Sequence, residues 1–228
     1  MQYLKKNIIY YYVSILIYLI IKLAEGKNVY INNEQELIQN INSNDNLIIH
    51  NNIDVSKTIE LSSSISSVFI QGIKSSVSSL NFINGAQLIL NNNESVKLYN
   101  ITLQGNVIFN NNKEVYIEDV IFIGYMNAIL NDGDIYIKRS QMETLFYKNN
   151  EDNAFLFRNG NLYIEDTYFY SNTNVKNLID FNGNYIYKVI IKDCFFDGNY
   201  KSSHMTIRDS YIKLTDTKLI NGYSIDDG

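Results

Sequence analysis

The chain has 228 residues, 46% hydrophobic and 19% charged, with no proline or tryptophan, one cysteine and a formal charge of −5. That is enough apolar material for one sizeable core and one domain. The lone cysteine excludes an intrachain disulfide framework, and the acidic balance offers nothing to offset phosphate repulsion, so nucleic acid is not an expected partner.

Residues 1–26 stand apart. Lys5 and Lys6 precede an apolar, tyrosine-rich run over 8–21, closed by Ala24-Glu25-Gly26. A basic start, an apolar middle and a small-x-small end are the parts of a secretory signal, with cleavage expected after Gly26. The run is shorter than the roughly 20 residues that span a bilayer, so membrane contact is expected only if 1–26 stays uncleaved as an anchor. The expected location is extracellular or on the cell surface. Losing Lys5, Lys6, Lys22 and Glu25 with this segment leaves 16 basic and 23 acidic residues, a formal −7.

Residues 27–46 read as an N-terminal cap. Leu37, Ile38 and Ile41 fall at helical spacing, with Asn33 as N-cap and Glu36 three residues later. A helix here would close the first coil of a stacked-coil fold, because a terminal coil otherwise leaves its core and strand edges open to water.

From residue 47 to 228 the chain repeats. An eleven-residue pattern starts at Val96, Val115, Ile135, Leu162, Val189 and Ile212, at spacings of 19, 20, 27, 27 and 23. Its first, third and eighth positions are apolar, and its sixth is apolar or small. Alternation at period two marks a strand with one buried face, and the skip at positions four and five shifts the phase, so two strands meet at a bend. A third apolar run follows each unit (107–112, 128–133, 154–160, 178–183 and 205–210), giving three strands per coil. No such coil can bury its own inner face, so coils stack in parallel about 4.8 Å apart. The fold predicted is an all-β parallel β-helix of about eight three-strand coils, counting weaker units from Leu47 and Val68. Zero proline suits it, since nearly every N–H donates to a ladder. No C-terminal cap is legible after Leu219, which points to a truncated solenoid or a partnered end.

Stacking brings equivalent outward positions side by side. Position four reads Tyr99, Glu118, Lys138, Glu165, Lys192, Thr215, an alternation of sign expected of a real ladder. Position five reads Asn100, Asp119, Arg139, Asp166, Asp193, Asp216. Asp and Asn suit bends because they tolerate the left-handed conformation. Asp166, Asp193 and Asp216 stack without relief and are the weak candidate for a calcium site; no cofactor is expected. Position two reads Lys97, Tyr116, Tyr136, Tyr163, Ile190, Lys213. Tyr116, Tyr136 and Tyr163, with Tyr168 and Phe195 nearby, form the candidate ligand-binding surface, because tyrosines pack on sugar rings and hydrogen-bond through their hydroxyls. They are also good strand formers that stack on themselves. Cys194 is inward and reads as core filler; His50 and His204 read as turn or surface residues. Asn93-Glu94-Ser95 and Asn100-Ile101-Thr102 are sequons, with Asn93 the expected glycosylation site.

The segments LYIEDTYFYSN (162–172) and VIIKDCFFDGN (189–199) resemble the repeat of right-handed parallel β-helix proteins, the pectin-lyase-like superfamily. The Asn, Ile and Tyr bias with a secretory signal is similar to the large extracellular β-helix proteins of anaerobic gut fungi. The resemblance implies a right-handed solenoid and a cell-wall polysaccharide or surface protein as partner. That superfamily holds lyases, hydrolases and non-catalytic surface proteins, so fold alone assigns no activity. The polygalacturonase Gly-His-Gly motif is missing, His50 sitting in Ile-His-Asn and His204 in Ser-His-Met, and none of Arg139, Arg158 and Arg208 begins Arg-x-Lys. The expectation is a non-catalytic secreted or cell-surface module, acting as a spacer, as an adhesin-like binding surface, or both. The alternative is a polysaccharide lyase or glycoside hydrolase using Asp193, Asp216 and Glu165.

Overall fold

The computed structural model describes residues 26–43, 45–61, 65–145 and 153–223. They wind as an all-β parallel solenoid of about seven turns. The first face stacks Asn28–Ile31, Asn46–Ile49, Ser67–Gly72, Ser95–Tyr99, Glu114–Glu118, residues 134–138, residues 161–165, Lys188–Lys192 and Tyr211–Thr215. The second stacks Asn52–Val55, Ser79–Phe82, residues 102–104, residues 121–123, Gln141–Glu143, Tyr168–Tyr170, Phe195–Asp197 and Lys218–Ile220. The third runs from Ile59–Leu61 through Gln87–Asn91 to Asn177–Asn182 and Ser203–Arg208. Of the eight units counted from Leu47, the last, Tyr211–Thr215 with Lys218–Ile220, has no third strand among the described residues, so about seven turns are complete where eight were expected.

The register is the one the repeat dictates. Val96, Val115, Ile135, Leu162, Val189 and Ile212 are aligned partners on the first face, as are Leu103, Phe122, Met142, Phe169, Phe196 and Leu219 on the second. Inside, Phe169 stacks on Phe196 with centroids 4.5 Å apart, and Phe155 meets Phe122 and Phe169 edge-on at 5.9 and 5.7 Å. Such aromatic pairs add about 0.5–1.5 kcal/mol each beyond area burial. Cys194 is buried among them, its thiol donating to the Lys192 carbonyl at 3.0 Å, and desolvation pushes it up to about 11. A thiol held protonated is core filler, not a nucleophile.

The helix is where the cap was read: α1 spans Glu34–Asn40, with Leu37 buried. The Asn33 side chain accepts from the Glu36 N–H at 2.9 Å, and the Glu36 carboxylate accepts from the Asn32 N–H at 2.8 Å. These bonds satisfy donors that the first helical turn leaves orphaned. A strand, Asn28–Ile31, precedes this helix and pairs in register with Asn46–Ile49. So the cap region contributes to the sheet as well as covering it. The segment read as a secretory signal, apart from Gly26, lies outside the described residues.

Candidate functional site

The bend between the first and second faces organises the outer surface. Asn100, Asp119, Arg139, Asp166, Asp193 and Asp216 all sit there with φ between 45° and 55°. Asn and Asp tolerate this left-handed region, so their recurrence at position five has a backbone cause. Arg139 departs from that chemistry and is used electrostatically. Its Nε and Nη2 donate to the two Asp119 carboxylate oxygens at 3.0 and 2.9 Å, and Nη2 also reaches Glu118 at 2.6 Å. These bonds raise its pKa above the ordinary arginine value. Asp166, Asp193 and Asp216 continue the column in exposed positions. Asp193 is relieved by Lys192 at 3.1 Å. Among the described residues no group of three or more His, Cys, Asp or Glu side chains is arranged to hold a metal ion.

The charge ladder one position earlier forms as the sequence reads. Glu165 lies between Lys138 at 3.5 Å and Lys192 at 3.2 Å. The Lys192 hydrogen bond and charge, followed by the charge of Lys138, hold the Glu165 carboxyl below its usual range.

Five aromatic residues were expected on one surface, and the fold divides them between two faces. Tyr116, Tyr136 and Tyr163 form a ladder on the first face, centroids 4.9 and 4.8 Å apart and planes within 7°. Lys97 lies over the free face of Tyr116 at 5.6 Å, and Lys188 over Tyr163 at 5.5 Å. The Tyr116 hydroxyl donates to Glu114 at 3.2 Å and that of Tyr136 to Asp134 at 3.0 Å. Burial, then the neighbouring carboxylates, raise both phenol pKa values. The ring faces are therefore spent on each other and on lysines, leaving only edges for a ligand.

Tyr168 and Phe195 stand across the bend on the second face, with centroids 5.4 Å apart and planes tilted by 34°. Lys218 covers the outer face of Phe195 at 5.5 Å. These two rings line a groove of about 620 Å³ that runs beside the bend, together with Lys74, Arg139, Gln141 and Asp166. Register places Gln141 directly beneath Tyr168, and Tyr168 beneath Phe195. The groove thus combines two aromatic rings and the Gln141 amide of one column with the Arg139 and Asp166 side chains at the bend and Lys74. Lys74 and Gln141 escaped the sequence reading: Gln141 occupies a slot filled elsewhere by Ile121, Tyr168 and Phe195, and Lys74 comes from a loop outside the repeat.

Both sequon asparagines are engaged within the folded coils. Asn93 is 1% exposed; its amide donates to the Ile65 carbonyl at 2.6 Å and accepts from Asn112 at 3.0 Å. The nitrogen that would carry the expected glycan is therefore buried and hydrogen-bonded in the folded coil. The Asn100 amide is likewise committed, to the Gly72 and Ile73 carbonyls. His50 is exposed and meets Tyr30 edge-on, while His204 is half-buried against the Ile220 carbonyl at 2.6 Å. A polar cluster the sequence reading missed lies on the third face, where Asp180 holds Arg158 and Arg208 at 2.7 and 2.8 Å.

The chain matches no protein-family model, no curated protein and no solved structure.

Proposed function

We propose that this protein is a non-catalytic, secreted or cell-surface solenoid that combines a spacer with a glycan-binding groove. The observation that carries the reading is the bend-side groove, in which Tyr168 and Phe195 face hydrogen-bonding and charged groups within about 620 Å³. Carbohydrate recognition needs that pairing, an apolar contact for the C–H groups of a sugar and fixed polar groups for its hydroxyls; here the apolar contact comes from the outward edges of Tyr168 and Phe195, whose faces meet each other and Lys218. The two rings lie on successive turns with Gln141 and Ile121 continuing their column along the rod axis, a line suited to a short stretch of a polymer such as a cell-wall polysaccharide.

The spacer half of the proposal rests on how much of the outer surface is committed to coil-to-coil contact. The tyrosine stack, the Lys138–Glu165–Lys192 ladder and the Arg139–Asp119 fork each join neighbouring turns. The non-catalytic half draws on one of the three carboxylates named for the alternative, Glu165, as a candidate acid. A glycosidase acid must hold its proton near neutral pH, and two lysines push this carboxyl the other way. The likeness of residues 162–172 and 189–199 to the right-handed β-helix repeat of the pectin-lyase-like superfamily, and to extracellular β-helix proteins of anaerobic fungi, supports the same reading. The test is a glycan-array and cell-wall polysaccharide pull-down with residues 27–228. Specific retention of a polysaccharide is expected; a folded sample retained by none would leave the rod as a spacer alone.

A further inference from the structure

The tyrosine ladder has a chemical property that its stacking role does not need. Tyr116 and Tyr136 lie in register on adjacent turns, with rings 4.9 Å apart and nearly parallel. Each hydroxyl donates to a carboxylate two residues earlier on its own strand, Tyr116 to Glu114 and Tyr136 to Asp134. Both rings are half-buried, so their outer edges reach solvent while their planes are held by the stack. A phenol with its proton already directed at a base is set up to lose a hydrogen atom as an electron and a proton together, the proton passing along the existing bond. The third ring, Tyr163, has Asn161 rather than a carboxylate two residues earlier, and that asparagine donates to Asp134.

We propose that Tyr116 and Tyr136 are a site of oxidative coupling, forming a dityrosine staple between adjacent turns when a peroxidase-class one-electron oxidant acts with hydrogen peroxide. Each phenol loses one electron to the oxidant and its hydroxyl proton to Glu114 or Asp134, giving two phenoxyl radicals. The radicals join through a carbon–carbon bond between ring positions ortho to oxygen. The displaced ring hydrogens move to the oxygens as protons and restore both phenols. Across the whole step two tyrosines lose two hydrogen atoms, and one hydrogen peroxide is reduced to two waters. The reaction draws on the ladder and its carboxylates alone, and stands or falls independently of the groove.

Exposed tyrosines provide the internal control. Tyr185 and Tyr200 are 86% and 71% exposed and sit at different corners of the coil, after Asn177–Asn182 and after Phe195–Asp197. Coupling through them joins separate molecules, whereas the ladder couples within one. The experiment treats the dilute full-length protein with horseradish peroxidase and hydrogen peroxide, isolates the monomer band, and maps crosslinks by mass spectrometry after cleavage at acidic residues. The expected product is a monomer lighter by two hydrogens, with dityrosine fluorescence and a Tyr116–Tyr136 crosslinked peptide. Tyr136→Phe keeps the ring stack and should abolish that product, while Tyr163→Phe should retain it. Monomer without a ladder crosslink, dimers joined only through Tyr185 or Tyr200, or equal monomer coupling in Tyr136→Phe would each overturn the proposal.

Discussion

Leu214 stands directly over Ile191 in the first-face ladder, yet Ile191 is 0% exposed and Leu214 is 44% exposed. The residues are chemically alike, so neighbours make the difference. Ile191 is sandwiched between Ile164 and Leu214, while among the described residues no strand pairs beyond Tyr211–Thr215. Ile212 and Leu219 share this position, at 40% and 42% exposure. Ile191→Asp should therefore bury an unpaired charge, at a cost of several kcal/mol, and leave little or no cooperative transition in a thermal melt. Leu214→Asp should cost only about 1 kcal/mol and keep the native circular dichroism spectrum. Equal loss in both would mean that the last turn is as enclosed as the one below it.

Asp180 should be a stability centre of the third face. Its side chain is 6% exposed, one oxygen accepts from both Arg158 and Arg208, and the other accepts from Asn153 at 2.8 Å. Breaking a fully buried pair costs about 3–5 kcal/mol; Arg208 is half-exposed and screened, so about 2 kcal/mol is expected for Asp180→Ala. In a domain of this size that lowers Tm by roughly 4–8 °C. A melt within 1 °C of wild type, an error margin taken as about a third of a kcal/mol, would show that the arginines find water instead.

Acid should act through Glu165. Lys192 and Lys138 depress its folded-state pKa, so its stabilisation is fully present above the unfolded value, about 4.3, and is lost as pH falls through the folded value. The difference in Tm between wild type and Glu165→Gln should be constant above about pH 5.5 and shrink toward zero below about pH 4. Added salt should shrink it too, because the ladder is exposed. A difference that grows on acidification would mean the carboxylate is destabilised where it stands.

Asn93 should carry structure and no sugar. Replacing it with alanine strips the Ile65 carbonyl of its donor and Asn112 of its acceptor, next to an Asn112 Oδ1 that has no partner among the described residues. The expected cost is about 2 kcal/mol, read as a lower denaturation midpoint at unchanged slope. Intact mass of protein secreted from a glycosylating host should show Asn93 unmodified; a glycan on folded material would contradict the buried ladder.

The sequence carries the register almost completely, because alternation from Val96 to Leu219 fixes which side chains face inward and a one-residue slip would turn them all out. It carries the bend for the same kind of reason: Asp166, Asp193 and Asp216 mark left-handed backbone by residue type. It is silent where meaning depends on other turns. Asn93 looks like a sequon because a sequon is read over three residues, but its burial is decided by Ile65 and Asn112. Tyr116 and Phe195 look like parts of one aromatic surface, whereas the bend puts them on different faces. Asn28–Ile31 is too short to announce itself as a strand without its partner Asn46–Ile49.

The most direct measurement is affinity for the retained polysaccharide, compared between a groove variant, Tyr168→Ser with Phe195→Ser, and a ladder variant, Tyr163→Ser. Titration calorimetry on folded samples should give at least a tenfold weaker Kd for the groove variant, the loss of about 1.4 kcal/mol of ring contact, and an unchanged Kd for the ladder variant. Weaker binding only in the ladder variant would contradict the account and move the site across the bend.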